Sequence, residues 1–160
     1  FSYQVEHGYS VQEDFAPGKY KTEESGAAMS MLAIMKQAFE GEFAPYVKSG
    51  KKLQIKITGR ADALPINGKI AYDGCYGDYT DEPVYKDRNL SSLTVTKAEG
   101  VTQNEQLAFL RALGVNNYIT KNINGFSSMS TDYQYCIEVT RGKGGEFRRI
   151  NVELTFVDAF

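Results

Sequence analysis

The sequence predicts an α+β fold, a two-layer sandwich in which helices cover one face of a mixed sheet. Apolar side chains recur at steps of three and four over residues 28–43 and again over residues 102–117, which predicts two amphipathic helices. Apolar and polar residues alternate over 53–58, 133–140 and 150–156, which predicts strands with one buried face. Strand, helix, strand, helix and then strands is an order that two packed layers satisfy.

The N-terminal part is expected to hold one strand and one helix. Phe1, Tyr3 and Val5 alternate with polar residues, which predicts a first strand followed by a loop. From Thr22 onwards the pattern becomes helical, and Pro45 is expected to end or restart that helix. The apolar stripe of the helix consists of Ala28, Leu32, Met35, Phe39 and Phe43.

The stretch from residue 63 to about 100 interrupts the strand and helix periodicities. The preceding strand is expected to end at Gly59, and the following residues are rich in tyrosine, acidic side chains and turn formers. We therefore expect an elaborated loop, in which residues 93–95 pair with residues 70–72 as a small hairpin.

The last third is expected to begin with a helix and to end in strands. The second helix is expected to stop at Asn116-Asn117. The two alternating runs that follow flank the glycine-rich residues 142–145, which predicts an antiparallel hairpin. Without an internal repeat, the chain is expected to form a single domain over residues 1–160.

Composition excludes several classes of function. The 18 basic and 20 acidic side chains give a formal net charge of −2, so no basic excess favours a nucleic-acid partner. His7 is the single histidine, which argues against His-based triads and multi-histidine metal sites. No run approaches the ~18 apolar residues of a membrane helix, so this segment is not expected to insert into a membrane. No cofactor is expected.

Cysteines and acidic residues leave alternatives open. Cys75 and Cys136 form either one disulfide or two buried thiols. The acidic cluster between residues 73 and 82 does not have the spacing of a calcium loop, so we expect no metal. Because the chain begins with Phe1 rather than Met, we expect a processed protein or an excised domain.

Four polar or small residues are candidates for a binding site. Asp62 lies just beyond a strand, where ligands collect in sheets built from crossover units. Asn104, Ala108 and Arg111 are spaced four and three apart, so they stack along one helix face with a notch between the long side chains. The alternative is a loop cap at Asp62 and solvated surface residues on the helix.

Four segments in order resemble one family. They are residues 57–62 (ITGRAD), 104–115 (NEQLAFLRALGV), 125–126 (GF) and 147–152 (FRRINV). Together they are similar to the OmpA-like peptidoglycan-binding domain, which reads strand-Gly-His-Thr-Asp, Asn-x-x-Leu-Ser-x-x-Arg-Ala, Gly-aromatic and Asn-Arg-Arg-Val. The resemblance extends from about residue 28 to residue 156.

The resemblance implies a non-catalytic module that binds the diaminopimelate residue of the peptidoglycan stem peptide. Asp62 is expected to receive the ammonium group and Arg111 the carboxylate, which suits a zwitterion. Asn104 is expected to add a neutral partner, and backbone groups around Ala61 to complete the site. Arg148 is expected either to contact the ligand or to pair with a buried carboxylate.

The implied place of action is the periplasmic side of a bacterial cell envelope. There the domain would be associated with the outer membrane through a segment outside this chain, and it would anchor an envelope protein to the cell wall.

This chain departs from the family pattern at the site itself. Arg60, Ala61 and Ala108 stand where the family has His, Thr and Ser, and an insertion at about residues 66–100 separates the two halves of the site. The alternative function is therefore the same fold used as a protein or glycan interaction module, with the insertion covering or replacing the ancestral site. A thiol hydrolase combining one cysteine with His7 is disfavoured, because nothing in the sequence holds such a pair together.

Overall fold

The computed structural model describes residues 9–10, 18–49, 51–123, 131–142 and 150–157. A 3₁₀ turn, Thr22–Glu24, precedes the first long helix. The helices are α1 (Gly26–Glu40), α2 (Ala44–Lys48) and α3 (Asn104–Asn122). The strands are β1 (Tyr9–Ser10), β2 (Lys52–Ala61), β3 (Tyr79–Lys86), β4 (Asn89–Val95), β5 (Thr131–Val139) and β6 (Ile150–Val157).

The strands form one open mixed sheet in the order β1-β6-β2-β5-β3-β4, so the predicted α+β class is confirmed. β2 lies in the middle and pairs parallel with β5 on one side and antiparallel with β6 on the other. The connection from β2 to β5 runs through α3, which makes this a crossover unit with its carboxyl ends at one edge of the sheet.

The helices cover one face of the sheet because the strands alternate. Leu53, Ile55 and Ile57 of β2 are buried, whereas Gln54 and Lys56 between them are exposed. The buried side chains join those of β6, α1 and α3 in one core, which includes Leu32, Met35, Phe39, Phe43, Val152, Leu154 and Phe156. The opposite face of the sheet is polar.

The helical pattern extends to Phe43, but α1 ends earlier, at Glu40, whereas the predicted restart near Pro45 is confirmed by α2. Ser25 caps α1 by accepting a hydrogen bond from the Ala28 amide at 3.1 Å. Gly41 follows the last helical residue, and the chain restarts as α2 with Pro45 in its first turn. The predicted first strand at residues 1–5 lies outside the described residues.

Both predicted hairpins were wrong. The runs on either side of residues 142–145 are β5 and β6, but β2 lies between them. Alternation shows which face of a strand is buried, and it does not show which strand becomes its neighbour. The interpretation of residues 63–100 as a loop was also partly wrong, because they contain β3 and β4. These two strands pair with each other, and Ile70 instead bridges to Val101.

The hairpin of β3 and β4 extends the sheet and carries its own apolar residues. Its turn has positive φ at Asp87 and Arg88, 50° and 68°. Val84, Leu93 and Val95 are buried in a second cluster with the first half of α3. The insertion is therefore an integral part of the folded domain rather than an appendage.

The second helix is longer than expected, so the predicted stop at residues 116–117 was wrong. α3 continues to Asn122, and the amide of Ile123 donates to the carbonyl of Ile119 at 3.1 Å. Ile119 is fully buried in the main core. The burial of Ile119 outweighs the weak helix preference of asparagine.

Candidate functional site

The carboxylate of Asp62 lies directly after the carboxyl end of β2. The strand runs two residues beyond the expected end at Gly59 and includes Ala61. Asp62 is buried, with 4% of its surface exposed, and its Oδ1 accepts a hydrogen bond from the amide of Leu64 at 3.3 Å. This bond is the turn that an aspartate makes with the backbone two residues on, so the alternative of a loop cap holds for part of this carboxylate.

The guanidinium of Arg111 is fully buried. Its Nη1 donates to the carbonyl oxygen of Arg60 at 2.8 Å, and its Nε donates to the carbonyl oxygen of Lys19 at 2.9 Å. The first bond joins Arg111 to the segment that carries Asp62. The alternative that Arg111 is a solvated surface residue was therefore wrong.

A glycine allows α3 to approach the strand so closely. A Cβ at Gly59 would lie 1.8 Å from the carbonyl oxygen of Ala108 and 3.1 Å from the amide nitrogen of Ala112. Backbone therefore meets backbone at the crossing of β2 and α3. Arg111, one turn beyond Ala108, reaches the Arg60 carbonyl because of this contact.

The remaining predicted site residues have different positions relative to Asp62 and Arg111. Asn104 lies in the first turn of α3, and its amide nitrogen donates to the carbonyl of Leu64 at 3.2 Å, so it supports the loop after Asp62. The carbonyl of Ala61 accepts the amide of Thr140 at 3.0 Å, which is a strand contact. Arg148 lies outside the described residues, as does the Gly125-Phe126 pair.

The Arg60 side chain faces away from the site, although its carbonyl forms part of it. Its Nε forms an ion pair with Glu138 Oε2 at 2.6 Å on the polar face of the sheet. A cavity of about 580 Å³ lies there, lined by residues of both charges that include Lys56, Arg88 and Glu153. The position that the resemblance pairs with a histidine is thus occupied by an arginine whose side chain lies on the opposite face of the sheet.

Residues 18–24, which we call the strap, cover Arg111 on the side away from the sheet. The strap accepts a hydrogen bond from Arg111 through the Lys19 carbonyl. Its Thr22 amide donates a hydrogen bond to the hydroxyl of Tyr76 at 3.3 Å. Lys21 forms an ion pair with Asp73. Tyr76 and Asp73 belong to the insertion, so the strap lies between α3 and the insertion.

Tyrosines hold the insertion against the strap. The ring of Tyr20 meets the rings of Tyr72 and Tyr76 edge-on at centroid distances of 5.8 and 6.3 Å. The hydroxyl of Tyr72 donates to the carbonyl of Gly77 at 2.6 Å and accepts from the amide of Tyr76 at 3.1 Å. Burial raises the pKa of Tyr76 to about 12 and the pKa of Tyr72 still further. The cluster is therefore neutral over the physiological range.

A second glycine lets the strap lie on α3. A Cβ at Gly114 would lie 2.3 Å from Thr22 Oγ1 and 2.9 Å from the hydroxyl of Tyr76. Glycine costs a helix interior about 1 kcal/mol relative to alanine. The sequence therefore contained a signal for this contact, because a glycine inside a helical row indicates a close approach from outside.

The insertion is also attached to the start of α3. Gln106 donates through Nε2 to the carbonyl of Thr94 at 2.8 Å, and its Oε1 accepts the amide of Gln103 at 3.0 Å. Lys86 of β3 forms an ion pair with Glu105 at 3.2 Å. Both strands of the hairpin thus contact the helix that carries Arg111.

The two cysteines are free thiols in different environments, so the disulfide alternative was wrong. Cys136 is buried and Cys75 is exposed, so the alternative of two buried thiols holds only for Cys136. Although the Cys75 residue is exposed, partial desolvation of its thiol, followed by the neighbouring Asp73, raises its pKa to about 11, and burial raises the pKa of Cys136. A catalytic thiol needs the opposite shift, because the thiolate is the nucleophile. His7, the expected partner in a thiol hydrolase, lies outside the described residues.

Overall, Asp62, Asn104 and Arg111 gather around the loop after β2, but they do not line an open cleft. Asp62 and Arg111 are both buried, and the strap covers the guanidinium. Gly114 indicated that some segment approaches α3 closely, but no pattern identified that segment as the strap or predicted the contacts of the Lys19 carbonyl and Tyr76. Their contacts with α3 join residues that are far apart in the chain.

No protein-family model, curated protein or solved structure matches this chain. Within the described ranges, no group of three histidine, cysteine, aspartate or glutamate side chains is arranged to hold a metal ion. Of the helices in the described residues, none is both long and apolar enough to cross a membrane.

Proposed function

We propose that this domain is a non-catalytic module that binds peptidoglycan through the diaminopimelate residue of the stem peptide. Asp62 receives the ammonium group of that residue, and Arg111 receives its carboxylate. The resemblance of four ordered segments to the OmpA-like domain supports this assignment. So does the hydrogen bond from Arg111 to the Arg60 carbonyl, which holds the guanidinium at the end of β2, two residues before Asp62. This bond is the single observation that carries the proposal.

The proposed ligand matches the chemistry of this pair. A zwitterion needs one anion and one cation at a fixed separation, and a guanidinium binds a carboxylate through two parallel hydrogen bonds. Each hydrogen bond to a charged group is worth about 1.5–3 kcal/mol when water is largely excluded. The burial of both residues supplies this exclusion. The raised pKa values of the cysteines favour a binding role over thiol catalysis.

Sedimentation with purified cell-wall sacculi tests the proposal. We expect the unmutated domain to sediment with sacculi that contain diaminopimelate and Asp62→Asn to lose at least about tenfold in affinity, equivalent to about 1.4 kcal/mol. Asp78→Asn is the matched control, because Asp78 also accepts a backbone amide, that of Lys97, but lies in the exposed insertion.

A second arm of the experiment tests the ligand carboxylate. Sacculi with lysine in place of diaminopimelate keep the ammonium group and lack the carboxylate assigned to Arg111, so we expect weaker binding. If Asp62→Asn binds as well as the unmutated domain, or the unmutated domain does not bind, the proposal fails.

The burial of the site favours a second candidate function. Arg111 is fully covered and Asp62 almost so, which suits a protein or glycan interaction module whose ancestral site has been closed by the strap that the insertion holds in place. An exposed apolar pair at the edge hairpin, Tyr85 opposite Leu90, is a contact surface in this case. This function predicts a folded domain that binds neither type of sacculus, so the same measurement separates the two candidates.

A further inference from the structure

The strap occupies the position at Arg111 that a ligand carboxylate needs. A guanidinium binds a carboxylate side-on through Nε–H and a neighbouring N–H. In this structure the Nε–H is taken by the Lys19 carbonyl oxygen, at 2.9 Å. The Lys19 carbonyl is thus an internal neutral substitute for one oxygen of the ligand.

The other described bond of the guanidinium does not involve the strap. Nη1 donates to the Arg60 carbonyl, which belongs to β2. If the strap moves away, this bond still holds the guanidinium beside the Asp62 loop. An incoming carboxylate would then replace a neutral acceptor with a charged one, and hydrogen bonds of this kind are about twice as strong.

The insertion holds the buried part of the strap, Tyr20 and Thr22, and also Lys21, whereas Lys19 at the other end of the strap is exposed. The contacts are the Thr22 amide to the Tyr76 hydroxyl, the Lys21–Asp73 ion pair and the ring of Tyr20 against those of Tyr72 and Tyr76. The hydrogen bond is long, and the ion pair is partly exposed to solvent. Exposed ion pairs contribute little to stability, so the Lys21–Asp73 pair does little to prevent movement of the exposed Lys19.

We propose, on the basis of the function proposed above, that the strap and the insertion form a latch over Arg111. The diaminopimelate carboxylate binds by displacing the Lys19 carbonyl from Nε, and Asp73 and Tyr76 of the insertion set how readily this happens. Binding of the cell wall is then coupled to movement of Lys19 and its end of the strap away from α3.

Gly114 offers a direct way to open the latch. Alanine at this position adds a methyl group where Thr22 Oγ1 and the Tyr76 hydroxyl now lie, so the side chains that join the strap to the insertion must shift. The same substitution favours the helix itself, by about the amount that glycine costs it. Gly26→Ala is the matched control, since its added Cβ meets nothing within 4 Å.

The ion pair gives an independent variant. Asp73→Asn removes the partner of Lys21, and Asp132→Asn is its control because Asp132 forms an ion pair with Lys52 at 2.7 Å, in another part of the molecule. Neither substitution adds bulk to the interior, so neither is expected to prevent folding.

The first readout needs no ligand. Phenylglyoxal modifies accessible arginines, and peptide mapping gives its rate at Arg111 relative to the exposed Arg88. We expect Arg111 to be protected in the unmutated domain and to react about tenfold faster in Gly114→Ala, equivalent to about 1.4 kcal/mol. Asp73→Asn should give a smaller increase, and the two controls none.

The second readout is the affinity for a soluble stem peptide that contains diaminopimelate, measured by calorimetry. Gly114→Ala and Asp73→Asn should each bind the peptide more tightly than the unmutated domain. Combining either with Asp62→Asn should remove this gain in affinity. If the unmutated domain binds, binding needs Asp62, and neither variant changes Arg111 reactivity or affinity, the latch is overturned while the function stands. If reactivity rises but no variant binds the peptide, the proposed function is overturned, and with it the role of the latch in it.

Discussion

α3 is covered on two sides by different chemistry. On the sheet side, backbone meets backbone at Gly59 and Ala108, and the surrounding side chains are apolar. On the other side, the strap lies against Gly114 through hydroxyl groups and a backbone amide. The first contact cannot separate without loss of the core, whereas at the second the exposed Lys19 can exchange its hydrogen bond without uncovering the buried Tyr20 and Thr22. α3 therefore has a fixed side and, under the latch proposed above, a displaceable side.

The largest effect should follow from a methyl group on the fixed side. Gly59→Ala places a Cβ 1.8 Å from the Ala108 carbonyl oxygen, and no flexible side chain can move aside to relieve the overlap. We expect a loss of about 3 kcal/mol or more in the free energy of unfolding, measured by urea denaturation. Gly26→Ala, in open space, should leave stability unchanged or slightly raised. A Gly59→Ala protein of unmutated stability would show that α3 lies further from β2.

A smaller loss of stability is expected at Arg111, which forms hydrogen bonds both to the strap and to β2. Arg111→Met keeps an apolar stem but leaves the Lys19 and Arg60 carbonyls without this donor. We expect the free energy of unfolding to fall by about 2 kcal/mol, measured in the same way. Arg88→Met, at an exposed turn, is the control. If both variants are equally stable, Arg111 does not join the strap to β2.

This structural role changes how ligand-binding data on Arg111 should be interpreted. Loss of binding in an arginine variant combines a lost ligand contact with a weakened fold. Asp62→Asn is the cleaner variant, because the amide oxygen of asparagine can still accept from the Leu64 amide.

The smallest effect concerns pH on the displaceable side. Burial raises the pKa of Tyr76 from 10.0 to about 12, so its contribution is fully present below pH 10 and is lost as pH rises towards about 12. We expect the stability of the domain to fall over this alkaline range, and to fall less in Tyr76→Phe. The measurement is the urea midpoint as a function of pH, with Tyr85→Phe at an exposed position as the control. Equal pH dependence in the three proteins would contradict burial of the Tyr76 hydroxyl.

Local patterns predicted one half of the site well. The alternation of Leu53, Ile55 and Ile57 fixes β2, and a strand that ends near Gly59 puts Asp62 at its carboxyl end. The helical spacing of Asn104 and Arg111 puts both on α3. These predictions succeed because a strand or helix with one buried face repeats its apolar residues at the period of its own backbone.

The same patterns failed where the outcome depends on neighbours. Alternation in β5 and β6 is equally compatible with a hairpin and with the observed separation by β2. Frequent turn formers predict a loop around residues 79–92, with a short strand only at 93–95, yet Val84 and Val95 are both in strands that are buried against α3. Whether a short apolar run becomes a strand depends on whether the fold offers it a surface to cover.

By itself, the sequence determined the α+β class, the two main helices, the central strand and the candidate residues Asp62 and Arg111. The tertiary structure alone decided that Arg111 is buried, that the Lys19 carbonyl takes its Nε, and that the insertion lies against the strap. The reason is physical. Periodicity records the burial of one face over a few neighbouring residues, whereas the cover over Arg111 joins segments that meet only after the chain has folded.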